Sequence, residues 1–372
     1  VTRRARAGVF ALVAGGGTGG HVYPALALAD ELRARGHARD SIRFVGAARG
    51  LEARAVPAAG YAIDLLPSRG LQRGRSWRAL GENIRMVGTM TVAVARAVRI
   101  VGARRPRVVV SVGGYASVPG ILAAWIRRVP MVIHEQNAIP GLANRLAVRL
   151  GARAAVSMPG TALDGAVLTG NPVRAAVVAV RRAPDPQHPL VAVVGGSLGS
   201  ARLNDATLGL YDRWRSRGDL ELRLVAGSRY FDGCASRLAA QRRRDDRLTM
   251  TLVPYEDAMD ALYARAAVVV CRAGAVTVAE LAAAGVPAVL VPWPGAAADH
   301  QTGNARVMAD AGAAILLPDA DCTAEGLAAL IEPLLADRAA LDAMSVAAVG
   351  MARPDASSAL AALVEEVAGA AA

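Results

Sequence analysis

The sequence predicts an α/β protein built from two Rossmann-like, doubly wound parallel-sheet domains that face a cleft. Three observations lead there. Short apolar, β-branched runs alternate with amphipathic segments along the 372 residues, glycine-rich turns follow several of these runs, and the second half repeats the opening of the first. A chain of this length exceeds one comfortable core, and about 150 residues per domain gives two.

In chain order, the first half offers strands at 9–14, 42–46, 62–66, 108–112, 131–134, 154–157 and 166–169, and the second at 190–194, 222–226, 248–253, 267–271, 288–291 and 313–317. Between the sets, 171–186 is rich in proline and charge and reads as a linker, so the domains are expected at 1–174 and 175–351. Each half opens with strand, glycine loop and helix. Each later carries a valine-rich strand ending in a small-residue turn, Ser111-Val112-Gly113-Gly114 and Cys271-Arg272-Ala273-Gly274. In doubly wound sheets ligands bind at the carboxyl ends of the strands, which makes the cleft the expected active site.

Composition removes several classes. With 53% hydrophobic and 20% charged residues the chain is not disordered. The best membrane-span candidate, 86–103, is interrupted by Arg96 and Arg99. Arginines at 3, 4 and 6 precede an apolar run that ends in glycines without a small-residue cleavage site, so no signal peptide is read and a cytoplasmic protein is expected. Cys234, Cys271 and Cys322 lie far apart, which argues against a disulfide framework or a zinc site. Charge is uneven: residues 1–174 hold 25 Arg against 8 acids, a net +17, and 175–372 hold 18 Arg against 23, a net −5. A basic half suits nucleic acid, an anionic membrane or a phosphorylated substrate. No RNA-binding motif, zinc finger or helix-turn-helix supports the first, so no nucleic-acid partner is expected.

Gly15-Gly16-Gly17-Thr18-Gly19-Gly20-His21 follows a strand and precedes a helix whose buried stripe is Ala25, Leu28, Ala29 and Leu32, with Pro24 near its start. Glycines let backbone approach a diphosphate, and a helix N-terminus supplies N–H groups and a positive dipole. The same run satisfies G-x-G-x-x-G, so an NADP-dependent oxidoreductase is an alternative, although the second strand ends Ala47-Ala48-Arg49 without the usual ribose-binding acid. A turn that is glycine-rich only for packing is the plainer alternative. Gly113-Gly114-Tyr115-Ala116-Ser117 and Gly195-Gly196-Ser197-Leu198-Gly199 are further loops after strands. A dehydrogenase needs one dinucleotide, whereas joining two pyrophosphate-bearing substrates uses several anion-binding turns.

Further groups lie near strand ends. Glu280, about one and a half turns beyond Gly274, either accepts from a ribose diol or is a solvated helix-face residue. His21 and Glu135, the latter within His134-Glu135-Gln136-Asn137, are the candidate proton acceptors. The run Asp299 to Asn304, including Gln301, offers hydrogen bonds to sugar hydroxyls or caps the next helix. Asp319-Ala320-Asp321 matches a metal-binding D-x-D pattern but reads as a helix entry, and no metal or cofactor is assigned. Trp77, Leu80, Ile84 and Val87 recur at helical spacing near Arg73, Arg75, Arg78 and Arg85. With Trp125-Ile126-Arg127-Arg128 they form either an anionic-lipid surface or a core stripe flanked by solvated arginines.

Together GGGTGGH (15–21), SVGGYAS (111–117), HEQNAIPGLANR (134–145), TGNPVR (169–174), GGSLGSARLN (195–204), CRAGAVTVAEL (271–281) and DHQTGNA (299–305) closely resemble the MurG family over nearly the whole chain. The resemblance implies a GT-B fold, with a C-terminal helix in about 352–372 returning to the first domain. It also implies inverting transfer of N-acetylglucosamine (GlcNAc) from UDP-GlcNAc to the 4-hydroxyl of N-acetylmuramic acid in lipid I, giving lipid II for peptidoglycan. By the same resemblance Thr18, Gly19, Gly20, Asn137, Arg174, Ser197, Glu280, Gln301 and Asn304 would bind the donor. The stretch Ala275, Val276, Thr277, Val278, Ala279 and Glu280 would hold ribose and sugar, and backbone at Glu256 would read uracil. His21 would be the base, with Glu135 sharing or replacing that role. The enzyme would sit peripherally on the cytoplasmic face of the cell membrane, against anionic lipid and among other cell-wall synthesis proteins. A non-catalytic nucleotide-sugar-binding protein is the remaining alternative. Leu198 and His300 stand where relatives carry glutamine, removing a polar contact near the nucleotide and placing a different group beside Gln301.

Overall fold

The computed structural model describes residues 8–67, 77–196 and 199–370, with side chains throughout these except 77–87. The chain forms two compact units, Val1–Pro172 with Asp355–Ala372, and Val173–Pro354.

The first unit contains β1 (Ala11–Ala14), α1 (Gly19–Ala34), β2 (Ile42–Ala47), α2 (Glu52–Ala58), β3 (Ala62–Leu66), α3 (Trp77–Arg104), β4 (Val108–Ser111), α4 (Val118–Arg127), β5 (Met131–Glu135), α5 (Leu142–Arg149), β6 (Arg153–Val156) and β7 (Val167–Leu168). The second contains α6 (Ala175–Val178), β8 (Leu190–Val194), α7 (Ala201–Trp214), β9 (Glu221–Val225), α8 (Phe231–Gln241), β10 (Thr249–Val253), α9 (Met259–Arg265), β11 (Ala266–Cys271), α10 (Ala275–Ala284), β12 (Ala288–Leu290), α11 (His300–Asp310), β13 (Ala314–Leu316), α12 (Ala324–Ala336) and α13 (Arg338–Met351). The last helix, α14 (Ala356–Gly369), belongs to the first unit.

Among the described residues each unit holds one sheet, ordered β3-β2-β1-β4-β5-β6-β7 in the first and β10-β9-β8-β11-β12-β13 in the second, and every strand pair is parallel. Parallel strands covered on both faces need apolar side chains on both, which is why β4 and β11 are almost pure valine and alanine and wholly buried. The thirteen strands lie where the alternation of the sequence puts them, within a residue or two at their ends.

Strand order reverses between β1 and β4, and again between β8 and β11. Such a switch point opens a crevice at the carboxyl ends, where the chain departs in opposite directions. The glycine loops after β1, β4 and β8 and the small-residue turn after β11 are the four loops at these two points.

One local feature differs from the sequence reading, and the returning C-terminal helix lies where that reading put it. Helix α1 starts at Gly19, inside the glycine loop, with Thr18 as its extended N-cap, so Pro24 falls within the helix rather than at its entry. Proline has no N–H for the Gly20 carbonyl, and the turn before it is closed by His21 and Val22, which both donate to the Thr18 carbonyl at 3.1 Å. The returning helix α14 buries Leu360, Ala361, Leu363, Val364 and Ala368 in one core with Leu28 and Leu32 of α1. Glu365 fastens it from outside, accepting from Arg35 Nη2 at 2.8 Å and meeting His37 Nε2 at 2.9 Å.

Candidate functional site

In the first unit His21 occupies the opening turn of α1, where Thr18 Oγ1 lies 3.1 Å from its Nδ1. When Nδ1–H donates to that hydroxyl, Nε2 carries the lone pair and is able to accept a proton. The loop after β4 packs on the same imidazole: a Cβ added to Gly113 or Gly114, both at positive φ, would come within 3.4 Å of the ring. Glycine there lets two loops and a histidine share one small space.

The cluster after β5 is tightly bonded. Glu135, 2% exposed, accepts from the Asn137 N–H at 3.0 Å and Asn137 Nδ2 at 3.1 Å on Oε1, and from the Gly141 N–H and Asn144 Nδ2, both at 2.9 Å, on Oε2. Four donors on a buried carboxylate fix the 135–144 turn and leave little lone-pair capacity for a substrate proton. Glu135 is thus the more fully engaged of the two candidate acceptors, and it supports Asn137. Asn144 links this turn to the loop after β4 by accepting from Ser111 Oγ at 3.3 Å, while Ser111 Oγ accepts the Gly113 N–H at 3.3 Å. His134 is fully buried, with Nε2 3.0 Å from the Gly170 carbonyl and Gln136 Nε2 donating to its Nδ1 at 3.1 Å. Burial holds its pKa below the ordinary histidine value, and both contacts suit the neutral ring.

One residue here escaped the sequence reading. Glu52, at the start of α2, accepts from the Gly17 N–H and the Ala47 N–H, each at 2.8 Å. It lies just past the second strand, beyond the place where a ribose-binding acid is sought, and it faces inward on the first glycine loop. Only the signal Gly50-Leu51-Glu52 after a strand hinted at it.

In the second unit Gly274 is the extended N-cap of α10, so Ala275, Val276 and Thr277 form its first turn with N–H groups that have no intrahelical acceptor. Val278 and Glu280 are buried, and Ala279 is half-buried between them. Glu280 is no solvated surface residue. Arg174 donates to its Oε1 from Nε at 3.2 Å and Nη2 at 3.0 Å, and Tyr263 donates to Oε2 at 3.1 Å. Tyr263 is buried beside this carboxylate, and burial followed by that negative neighbour keeps its hydroxyl protonated far above the usual range. Asn304 is buried and donates to the Ala273 carbonyl at 3.0 Å, holding the turn before α10, and Gln301 Oε1 accepts the Trp293 N–H at 2.9 Å. Glu256 pairs with Arg223 at 2.6 Å and accepts the Ala258 N–H at 3.3 Å, which stiffens the loop after β10. Ser197 and Leu198 lie outside the described residues.

Asp319 of the D-x-D sequence is 2.6 Å from Arg272 Nη1 and 3.7 Å from Arg202 Nε. Arg272 in turn donates to Ser200 Oγ at 2.8 Å, so this acid braces the loop after β8 against that after β11. Among the described residues no group of three His, Cys, Asp or Glu is arranged to hold a metal ion. The three thiols are buried, and desolvation pushes Cys271 up to about 12 and Cys322 to about 11, which leaves them unreactive at neutral pH.

Residues 11–156 match the glycosyltransferase family 28 N-terminal domain, and residues 190–360 match the glycosyltransferase family 28 C-terminal domain. A protein of Salinibacter ruber named "UDP-N-acetylglucosamine--N-acetylmuramyl-(pentapeptide) pyrophosphoryl-undecaprenol N-acetylglucosamine transferase" is 41% identical over 363 residues, covering 94% of each chain. One of the same name from Methylococcus capsulatus is 41% identical over 364 residues, covering 96% of this chain and 99% of its own. The chain belongs to the MurG family of glycosyltransferases.

The solved structure of Acinetobacter baumannii MurG matches this chain with a TM-score of 0.79 at 29% identity, covering 96% of this chain and 99% of that one. A calicheamicin glycosyltransferase at 19% identity and a TM-score of 0.68 shares the fold. The two parallel sheets are thus those of a GT-B glycosyltransferase, and the family leaves no support for an oxidoreductase.

Proposed function

We propose that the chain transfers GlcNAc from UDP-GlcNAc to the 4-hydroxyl of N-acetylmuramic acid in lipid I, with inversion, and that His21 is the base. The observation that carries the base assignment is the placing of an imidazole in the first turn of α1, with its Nδ1 against Thr18 and its ring packed by the loop after β4.

His21 Nε2 removes the 4-hydroxyl proton as that oxygen attacks the anomeric carbon. The bond from that carbon to the UDP oxygen breaks in line on the opposite face, so an α-linked donor yields a β-1,4 product in one displacement. The Nδ1–H bond to Thr18 stabilises the imidazolium that forms. UDP leaves as an anion, and the donor unit supplies positive potential to receive it. The first-turn N–H groups of α10 and the Arg174 guanidinium stabilise the diphosphate as charge develops. Arg174 carries five N–H donors, of which Glu280 engages two, and a guanidinium fork matches phosphate oxygens. Glu280 retains lone pairs for the ribose hydroxyls while Arg174 and Tyr263 fix its orientation. The backbone at Glu256, stiffened by Arg223, reads uracil, Asn137, Ser197, Gln301 and Asn304 complete the donor contacts, and Thr18, Gly19 and Gly20 stand in the loop that presents His21.

Among the described residues no helix is long and apolar enough to cross a membrane. Peripheral attachment to the cytoplasmic face is the reading favoured by α4, which exposes Trp125 (54%) and Ile126 (50%) next to Arg127 and Arg128. The other half of that predicted surface, 69–87, lies outside the described side chains. A coupled assay is decisive for the activity: UDP is released when a lipid I analogue is present with UDP-GlcNAc and not when the donor is alone. Donor binding without release in the presence of the acceptor would leave only a nucleotide-sugar-binding protein.

A further inference from the structure

Glu52 is buried at 1% exposure, and the reaction as described above makes no use of it. Its carboxylate fills a space left by three glycines from separate segments. A Cβ on Gly16 would lie 2.1 Å from its Cδ, one on Gly46 2.6 Å from its Cγ, and one on Gly50 2.1 Å from its Oε2. The glycine richness of this region is therefore the shape of a carboxylate seat.

The two N–H groups that face it, of Gly17 and Ala47, are donors only. An acceptor on both oxygens satisfies them, whereas a carboxamide would turn its NH2 toward one of the two. Gly17 immediately precedes Thr18, the N-cap whose hydroxyl meets His21 Nδ1. The Gly16 carbonyl also sets the second loop, since a Cβ on Gly114 would stand 2.8 Å from that oxygen. A negative group seated under the first loop, holding its Gly17 N–H, also disfavours a second anion there.

We propose that Glu52 is a positioning residue for the transfer reaction: it holds the first glycine loop so that Thr18 and His21 stand in register, and the loop serves to present the base rather than to cradle a diphosphate. The proposal rests on His21 being the base. The test is a double-mutant cycle on the full chain with E52Q, H21A and the pair, measuring kcat, KM for UDP-GlcNAc and calorimetric donor binding. E52Q should lower kcat by about tenfold to 100-fold, the scale of a misplaced catalytic group, with KM for UDP-GlcNAc within about twofold. In the H21A background E52Q should cause no further loss. G50A, at a position with ordinary φ where the new methyl displaces the carboxylate without removing it, should reproduce the selective loss of kcat even if E52Q folds poorly. An impaired H21A enzyme whose rate E52Q reduces again by the full factor overturns the positioning role alone, as does a loss confined to donor KM. An H21A enzyme with unchanged turnover overturns the base assignment, and the positioning role with it.

Discussion

Arg174 and Glu280, 106 positions apart in sequence, form an ion pair in which Nε and Nη2 both donate to one carboxylate oxygen while Tyr263 occupies the other. In the proposed reaction these are the diphosphate partner and the ribose partner, each oriented by the other. Glu280→Ala would strand the buried Tyr263 hydroxyl and release Arg174. An unpaired buried polar group costs about 1–3 kcal/mol, so the melting temperature should fall, and loss of the proposed carboxylate bonds to the ribose, about 1.5–3 kcal/mol for a hydrogen bond to a charged group, should raise donor KM by about tenfold or more. Tyr263→Phe removes only the hydroxyl, so a smaller rise in KM is expected. Donor binding at the wild-type level in Tyr263→Phe would mean that Arg174 alone orients Glu280.

His21→Ala should reduce kcat by about 100-fold to 10,000-fold, the usual contribution of a positioned general base. Calorimetric affinity for UDP-GlcNAc should change little. Thr18→Val should give a milder loss of kcat, because it removes the Nδ1 partner and frees the tautomer. Turnover of His21→Ala equal to wild type would remove it from the mechanism.

Flotation with liposomes tests the proposed membrane attachment. Vesicles rich in anionic lipid should bind the chain at low salt and release it as salt rises, since each arginine near the surface contributes about 1 kcal/mol at most and is screened within a Debye length. Trp125→Glu with Ile126→Glu should reduce binding while leaving transfer to a soluble lipid I analogue intact. Failure of the wild type to bind at low salt would defeat the proposal.

Buried His134 predicts a dependence of stability on pH. Its folded pKa is lowered by burial, so it resists protonation in the native state. Above about pH 6.5 the ring is neutral in both states and its contribution is complete. Below that, the unfolded chain gains a proton that the native chain refuses, and stability falls by at most about 1.4 kcal/mol per pH unit until the folded pKa is reached. Chemical denaturation at pH 7.5 and 5.5 should show this loss, and His134→Gln should flatten it. Equal slopes in the two proteins would exclude His134 as the source.

Leu360 of α14 is fully buried against α1. Leu360→Ala should destabilise the first unit by about 2–5 kcal/mol, seen as a lower first transition on heating, although the residue is more than 300 positions from its partners. An unchanged transition would mean that the unit is stable without the helix.

The sheets were legible because parallel strands buried on both faces leave an uninterrupted apolar record, as in 108–112 and 267–271, and because glycine loops mark where such strands end. The helix entry at Gly19 was harder, since five glycines mask the start and Pro24 lies five residues beyond it. Glu280 shows the limit from another side. Its motif placed it near the right chemistry, yet pattern alone left a solvated glutamate equally open, and burial against Tyr263 and Arg174 decided against that. Glu135 was seen as a proton acceptor because it is a carboxylate at a strand end. Its four donors, from three residues two to nine positions onward, could not be read from type and place.

The sequence by itself determined the two sheets, the loops at their switch points, the family and the chemistry that the family performs, because periodicity and short motifs are local and the chain records them directly. Tertiary structure alone decided which polar groups face each other. Arg174 with Glu280, Glu52 beneath Gly17 and α14 upon α1 depend on segments far apart in the chain, and a buried charge or hydrogen bond takes its meaning from the partner that desolvation forces it to find.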